Sequence, residues 1–219
     1  MNPTPELVTL TAPRSAAAEA FRTLRTNLTF AELDRPIKTL LVTSAAAGAE
    51  KSVTLANLAV TMAQGERRTI LVDADLRRPS LHQIFALANE RGLTTMFVDP
   101  AALENPPLAE TGVDNLLLLP SGPLPPNPAD LLGSQRMGKV IAALQAQAEV
   151  VLFDAPPVTA VTDAAVLGTK VDGLLLVVRA GRTRRDHAQR AKELLEQVHV
   201  RVIGAVLTNA RRGISMSAY

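Results

Sequence analysis

Short apolar runs alternate with longer amphipathic stretches along this chain, and the alternation sets the reading of the whole. The segment 38–62, KTLLVTSAAAGAEKSVTLANLAVTM, opens with an apolar strand, passes through a loop of small residues and continues from Lys51 into an Ala/Leu-rich helix. Further strands are predicted at 70–72, 115–119, 149–154, 173–179 and 200–207, where β-branched and leucine runs are bounded by turn residues. Helices are predicted over 15–30, 137–148 and 184–198, with shorter ones near 130–132 and 163–167. In the first of these Phe21, Leu24 and Leu28 recur on one face, and Ser15 is placed to cap the N-terminus. Residues 99–111, rich in Pro, Ala and Glu, read as a loop with a short helix. The prolines at 120, 123, 125, 126 and 128 exclude helix and central strand, so that stretch reads as a stiff surface loop. Strand and helix patterns in alternation imply an α/β fold: a mostly parallel sheet with helices on both faces.

At 219 residues the length suits one such domain. The expected organisation is an extended N-terminal arm over 1–14, a domain over 15–210 and a tail over 211–219 that ends on the sole tyrosine, Tyr219. Lys and Arg number 23 against 21 Asp and Glu, without a long block of one sign, so an extended nucleic-acid footprint is not indicated and no specific nucleic-acid partner is expected. The absence of cysteine rules out disulfides and thiolate metal sites and fits a reducing cytoplasm. His82, His187 and His199 are dispersed, without ligand spacing. The first ten residues lack both a basic leader and an apolar core, and the runs at 116–119 and 174–178 are too short to span a bilayer. Work at a membrane would therefore need a partner to hold the chain there.

Candidate chemistry concentrates at strand ends. A strand, a small-residue loop and Lys51-Ser52 at a helix start are the parts of a phosphate-binding loop, in which backbone N–H groups and the helix N-terminus surround a polyphosphate. In such loops the lysine reaches the terminal phosphates and the hydroxyl sits on Mg²⁺. The pattern Gly-x4-Gly-Lys-Ser/Thr would put glycine at 45 and 50. This chain has Ala45 and Glu50 there, and its one loop glycine is Gly48. A glutamate directly before the lysine adds bulk and negative charge beside a polyanion. The strand at 70–72 delivers Asp73 and Asp75; continued strand alternation would point both the same way, as paired oxygen ligands for Mg²⁺ or one ligand and one base, the other reading being a cap on the next helix. The strand at 149–154 ends on Asp154, in the manner of a Walker B segment. On the first helix Glu19, Arg22 and Arg25 form a slanting charged stripe, which by itself reads as a solvated face.

Four stretches together resemble the cytoplasmic catalytic domain of the bacterial tyrosine kinases that regulate capsule and exopolysaccharide synthesis: EAFRTLRTN around Glu19, Arg22 and Arg25; ILVDADLRRPSLH at 70–82; LPSGPLPPNPADLLGS at 119–134; and FDAPPVTAVTDA at 153–164. The resemblance covers about 15–209 and implies a P-loop fold of the partition and septum-site ATPase type. It also implies ATP and Mg²⁺ as cofactors. Lys51 would act on the β- and γ-phosphates, with Ser52, Asp75 and Asp154 at the metal, Asp73 as acceptor of the tyrosyl proton, Gly48 in the nucleotide loop and Asn209 at the base. Glu19, Arg22 and Arg25 become contacts in a homo-oligomeric ring. Tyr219 becomes a phosphoacceptor in trans, and the implied partner is a membrane-embedded polysaccharide co-polymerase that holds the chain at the inner face of the cell membrane. The chain departs from the family at Glu50, where the family has glycine, and in having Tyr219 where the family has a tyrosine cluster. Two expectations follow: an ATP-dependent tyrosine autokinase, or a ring-forming interaction protein that transfers no phosphate. A DNA-binding partition ATPase ranks behind both, because the second lysine those ATPases carry early in the loop is absent and Ala46 and its neighbours are small.

Overall fold

The computed structural model describes residues 6–33 and 35–210. Seven strands form one sheet: β1 Thr39–Ser44, β2 Thr69–Asp73, β3 Ala109–Glu110, β4 Leu116–Leu119, β5 Val150–Asp154, β6 Gly173–Arg179 and β7 Val202–Thr208. Their order is β3-β4-β2-β5-β1-β6-β7, parallel throughout except for the β3–β4 pair at one edge. Every residue of β1, β2 and β5 is buried, as their continuous apolar runs require of strands covered on both faces.

Alternation along the strands splits the core in two. Leu40, Val42, Leu71, Leu152 and Val177 face α3, Lys51–Gln64, whose residues 54–63 are all buried. A helix apolar on nearly all sides must be enclosed, and α3 is enclosed because α2, Ala16–Ala31, lies over its outer side. Ser15 caps α2 by accepting from the Ala18 N–H, as expected. On the opposite face Leu41, Ile70, Val151, Phe153 and Leu174 pack with α8 Gln135–Gln145, α9 Asp163–Gly168 and α10 Arg185–Gln197. The shorter helices are α1 Val8–Thr11, α4 Leu81–Ile84, α5 Thr95–Val98, α6 Ala101–Glu104 and α7 Pro128–Gly133.

Four local expectations are corrected. The segment expected as an extended arm contains α1, docked on α3: the Thr9 N–H and hydroxyl both donate to Asn57 Oδ1, at 3.0 and 2.9 Å. Pro128 is not in a loop but opens α7, where its missing N–H costs nothing because the first helical N–H groups have no intrahelical acceptor. The 99–111 segment ends in the edge strand β3, too short to carry a periodic signal. The strand carrying the aspartates stops at Asp73, so Asp75 is set by the turn that follows and not by strand alternation.

Asn57 is 1 % exposed and its amide also donates to the Val53 carbonyl, so it satisfies three buried polar groups at once. Asn57→Ala leaves the Thr9 donors unpaired in the interior and is expected to cost about 1–3 kcal/mol of unfolding free energy, read from urea denaturation midpoints. Residues 6–12 should become protease-sensitive in the same variant.

Candidate phosphate site at the carboxyl edge of the sheet

The carboxyl ends of β1, β5 and β2 lie side by side, with Val42 paired to Asp154 and Asp73 paired to Asp154 in register. Open α/β sheets bind ligands at this edge. The loop from β1 to α3 rises directly from it. Its carbonyls are held from outside: Thr159 donates to Ala45 O at 2.7 Å, Arg179 Nη1 to Gly48 O at 3.0 Å and the Thr208 hydroxyl to Ala49 O at 3.3 Å. Because C=O and N–H of a trans peptide point in opposite directions, anchoring these carbonyls turns the following amides the other way. Two residues make the tight turn in the left-handed region, Gly48 (φ 75°) and Glu50 (φ 60°, ψ 31°). For glutamate that conformation costs roughly 1–2 kcal/mol. The structure thus places Glu50 at the backbone position where glycine would be at ease, and sends its side chain outward to Arg179, with Oε1 and Nη1 2.8 Å apart.

Lys51 opens α3 and reaches across the edge to two carboxylates. Its Nζ is 2.8 Å from Asp75 Oδ2 and 3.1 Å from both oxygens of Asp154. Ser52 donates to Asp154 Oδ2. Burial disfavours the Lys51 charge, but the carboxylates of Asp154 and Asp75 outweigh it and raise its pKa, so the lysine stays protonated. Burial also raises the pKa of Asp154, against the pull of Lys51 and Ser52.

Asp73 is 0 % exposed and has no ion-pair partner among the described residues. Its Oδ2 accepts from the Ser80 and Leu81 N–H groups, both at 2.9 Å, so the helix-cap reading of this residue is correct for that oxygen. Its Oδ1 is buried without a hydrogen-bond partner. Burial and the neighbouring Asp154 push its pKa up to about 7, against the Leu81 N–H and Lys51.

The remaining candidates fall into three groups. Asn209 (φ 54°) follows β7 and its amide donates to Ala180 O at 3.4 Å, one residue on from Thr208, which holds the Ala49 carbonyl of the loop. Glu19 and Arg22 pair with each other at 2.6 Å on the exposed side of α2, whereas Arg25 is turned inward and donates to Thr61 O at 2.6 Å. The charged stripe is therefore divided: spacing aligns the three residues along α2, but Arg25 sits over the end of α3. Tyr219 lies outside the described residues. Sequence reasoning missed Arg179, Thr159 and Thr208 as loop anchors. It also missed the two-pronged Arg77–Asp163 pair, with both hydrogen bonds at 2.9 Å, which ties the segment after β2 to α9.

A raised carboxyl pKa in the folded state makes stability pH-dependent with a definite sign. Below about pH 4 Asp73 is protonated in both states; between there and about pH 7 only the folded state holds the proton, so this contribution to stability is lost progressively until pH has risen through 7. The wild-type chain without ligands should be less stable at pH 8 than at pH 5.5, by about 1.4 kcal/mol for each pH interval of one crossed below 7, and Asp73→Asn should flatten that slope. Denaturation midpoints at the two pH values measure both.

Comparison with known proteins identifies the family to which this fold belongs. The ParA family model, described as NUBPL iron-transfer P-loop NTPase, matches residues 36–214. The chain is 40 % identical over 205 residues to tyrosine-protein kinase YwqD of Bacillus subtilis (strain 168), covering 94 % of this chain and 86 % of that one. It is 35 % identical over 198 residues to tyrosine-protein kinase CpsD of Streptococcus agalactiae, covering 90 % and 85 %. Among solved structures, the kinase domain of the Escherichia coli tyrosine kinase ETK superposes with a TM-score of 0.89 at 32 % identity, over 98 % of this chain and 84 % of that one. The resemblance seen in the four sequence stretches is thereby established: the chain belongs to the bacterial tyrosine-protein kinase family, built on a ParA-type P-loop NTPase fold.

Proposed function

We propose that this chain is an ATP-dependent protein-tyrosine autokinase that acts in the regulation of capsular or exopolysaccharide synthesis. The observation that carries the reading is the convergence of Lys51, Ser52, Asp75 and Asp154 beside an outward-anchored phosphate loop. The donor set fits a hard divalent cation with a polyphosphate: Asp154, Asp75 and the Ser52 hydroxyl are oxygen donors that already face a cation, the Lys51 ammonium. Ser52, Asp75 and Asp154 would hold Mg²⁺, directly or through water. Bound Mg²⁺ would neutralise charge on the phosphate oxygens and so ease phosphoryl transfer.

The chain's own residues supply the rest. Lys51 exchanges its two carboxylates for phosphate oxygens, keeping its charge satisfied at each stage. Asp73 accepts the phenolic proton of an incoming tyrosine at Oδ1, the oxygen left free when Oδ2 caps α4. A pKa of about 7 leaves much of it ionised at neutral pH and able to take a proton. Asp73 is covered in this structure, so access for a tyrosine requires neighbouring side chains to move. Gly48 shapes the loop. Asn209 is assigned to the nucleotide base by family likeness alone. Tyr219 is the acceptor, presented in trans by a neighbouring subunit.

The same reading assigns ring contacts to α2. Glu19 and Arg22 are available on its surface, Phe30 (64 % exposed) and the following Leu33 (78 %) add apolar area, and Arg25 contributes by fixing the helix on α3. Recruitment to the inner face of the membrane is assigned to a membrane-embedded polysaccharide co-polymerase; among the described residues no helix is long and apolar enough to cross a membrane. The interaction-only alternative rests on Glu50 in the loop together with the single tyrosine Tyr219, and the pairing of the Glu50 carboxylate with Arg179 weakens the first of these grounds.

Incubation with Mg·ATP followed by mass spectrometry of the intact chain tests the proposal, with and without the cytoplasmic segment of the activator. Phosphate on Tyr219 is expected for the wild type, with a loss of at least a hundredfold in rate for Lys51→Ala and for Asp154→Ala, since each removes charge stabilisation in the site. Failure of the activated wild-type chain to incorporate phosphate would overturn the kinase assignment.

A further inference from the structure

Glu50 occupies the position where a glycine would let the backbone approach phosphate, yet the loop closes around it in an ordered way. From the geometry we propose that Arg179 is a positioning residue for nucleotide binding: it holds the Glu50 carboxylate outside the loop, and so restores phosphate affinity to a loop that lacks the glycine. This rests on the nucleotide reading of the Lys51 site given above.

Three observations carry it. First, β6 runs past its neighbour. Ser44, the last residue of β1, pairs with Val177, so Arg179 extends beyond the end of β1 and alongside the loop. Second, one guanidinium nitrogen, Nη1, serves both the Gly48 carbonyl at 3.0 Å and Glu50 Oε1 at 2.8 Å. It therefore fixes the loop path and the direction of the side chain together. Third, Glu50 has its φ of 60° locked by the start of α3, where its carbonyl accepts the Thr54 N–H at 2.9 Å, so the backbone has little freedom to re-aim the side chain. A second cation stands close by: a Cβ built on Gly48 would come within 3.4 Å of the Arg182 guanidinium.

The physical consequence concerns charge. A free carboxylate one residue from Lys51 would compete with phosphate for that ammonium and repel the polyphosphate, an interaction that grows as water is excluded. Paired with Arg179 it is neutralised and pointed to solvent, where Glu50 is 47 % exposed. The arginine thus acts mainly through Glu50, and when Glu50 is removed only its hold on the Gly48 carbonyl should remain.

Calorimetric titration of the full-length chain with Mg·ATP tests this through Arg179→Ala, Arg179→Lys, Glu50→Gly and the double variant Glu50→Gly/Arg179→Ala, with thermal unfolding as a check of folding. Arg179→Ala is expected to bind about tenfold more weakly or worse, a charge effect of the size of one local ion pair. Arg179→Lys should recover most of the loss. Glu50→Gly should bind at least as tightly as the wild type, and the double variant should stay within about threefold of Glu50→Gly, since truncating the arginine no longer releases a carboxylate. Wild-type affinity in Arg179→Ala, or a double variant as weak as Arg179→Ala alone, would overturn the inference while leaving the nucleotide site standing. Absence of Mg·ATP binding by every folded variant and by the wild type would overturn the nucleotide reading and this inference with it.

Discussion

Lys51 sits between two carboxylates that have almost no access to solvent, and much of the local architecture exists to make that tolerable. Asp154 is 0 % exposed and Asp75 4 % exposed; either one alone in the interior would be strongly destabilising, and the lysine alone would lose its proton. Together they satisfy one another, with Ser52 completing Asp154 and the Arg78 N–H completing Asp75 at 3.0 Å. The arrangement needs β5 and the β1–α3 loop in fixed register, which the buried parallel strands supply. It also needs α3 held down, which α2 and α1 supply through Arg25 to Thr61 and Thr9 to Asn57. A buried ion cluster of this kind adds little to stability compared with an apolar core; on the proposed function the same charges would serve a cation and a polyphosphate without new groups being brought in.

Asp73 shows how one side chain divides its work. Its Oδ2 is committed to two backbone N–H groups at the start of α4, which fixes the carboxylate and orients it, and its Oδ1 is left without a partner. An unpaired buried oxygen is costly in a protein that does not use it. The same burial that makes it costly raises its affinity for a proton to the range where a base works at neutral pH. Cap and the proposed base are thus compatible descriptions of this residue.

How much of this is legible in the sequence depends on whether the determining interaction is local. The strands and the long helices follow from periodicity, so β6 is found at Gly173–Arg179 as predicted and α2 starts at its Ser15 cap. Lys51, Ser52 and Asp154 are legible because strand ends and helix starts converge in any parallel α/β sheet. The docking of α1 is not, since Thr9 bonds to Asn57 and nothing in 1–14 marks a helix. Arg25 reads with Glu19 and Arg22 as one stripe, because spacing on a helix says which residues align and not what covers them; only the packing of α3 shows Arg25 to be turned inward. Glu50 is the sharpest case. Its type predicts conflict with phosphate, whereas its left-handed backbone and its pairing with an arginine at the end of a distant strand redirect the charge, and neither is written in the residues on either side of it.

On the proposed function Lys51, with its own charge, occupies the place that ligand charge would take, and a crystal structure of the chain with Mg·ADP bound tests this most directly. Mg²⁺ is expected against Ser52 and Asp154, with Lys51 turned from Asp75 and Asp154 to phosphate oxygens and Glu50 still on Arg179 outside the loop. Nucleotide bound elsewhere, or at this loop with Lys51 still clamped between Asp75 and Asp154, would contradict it.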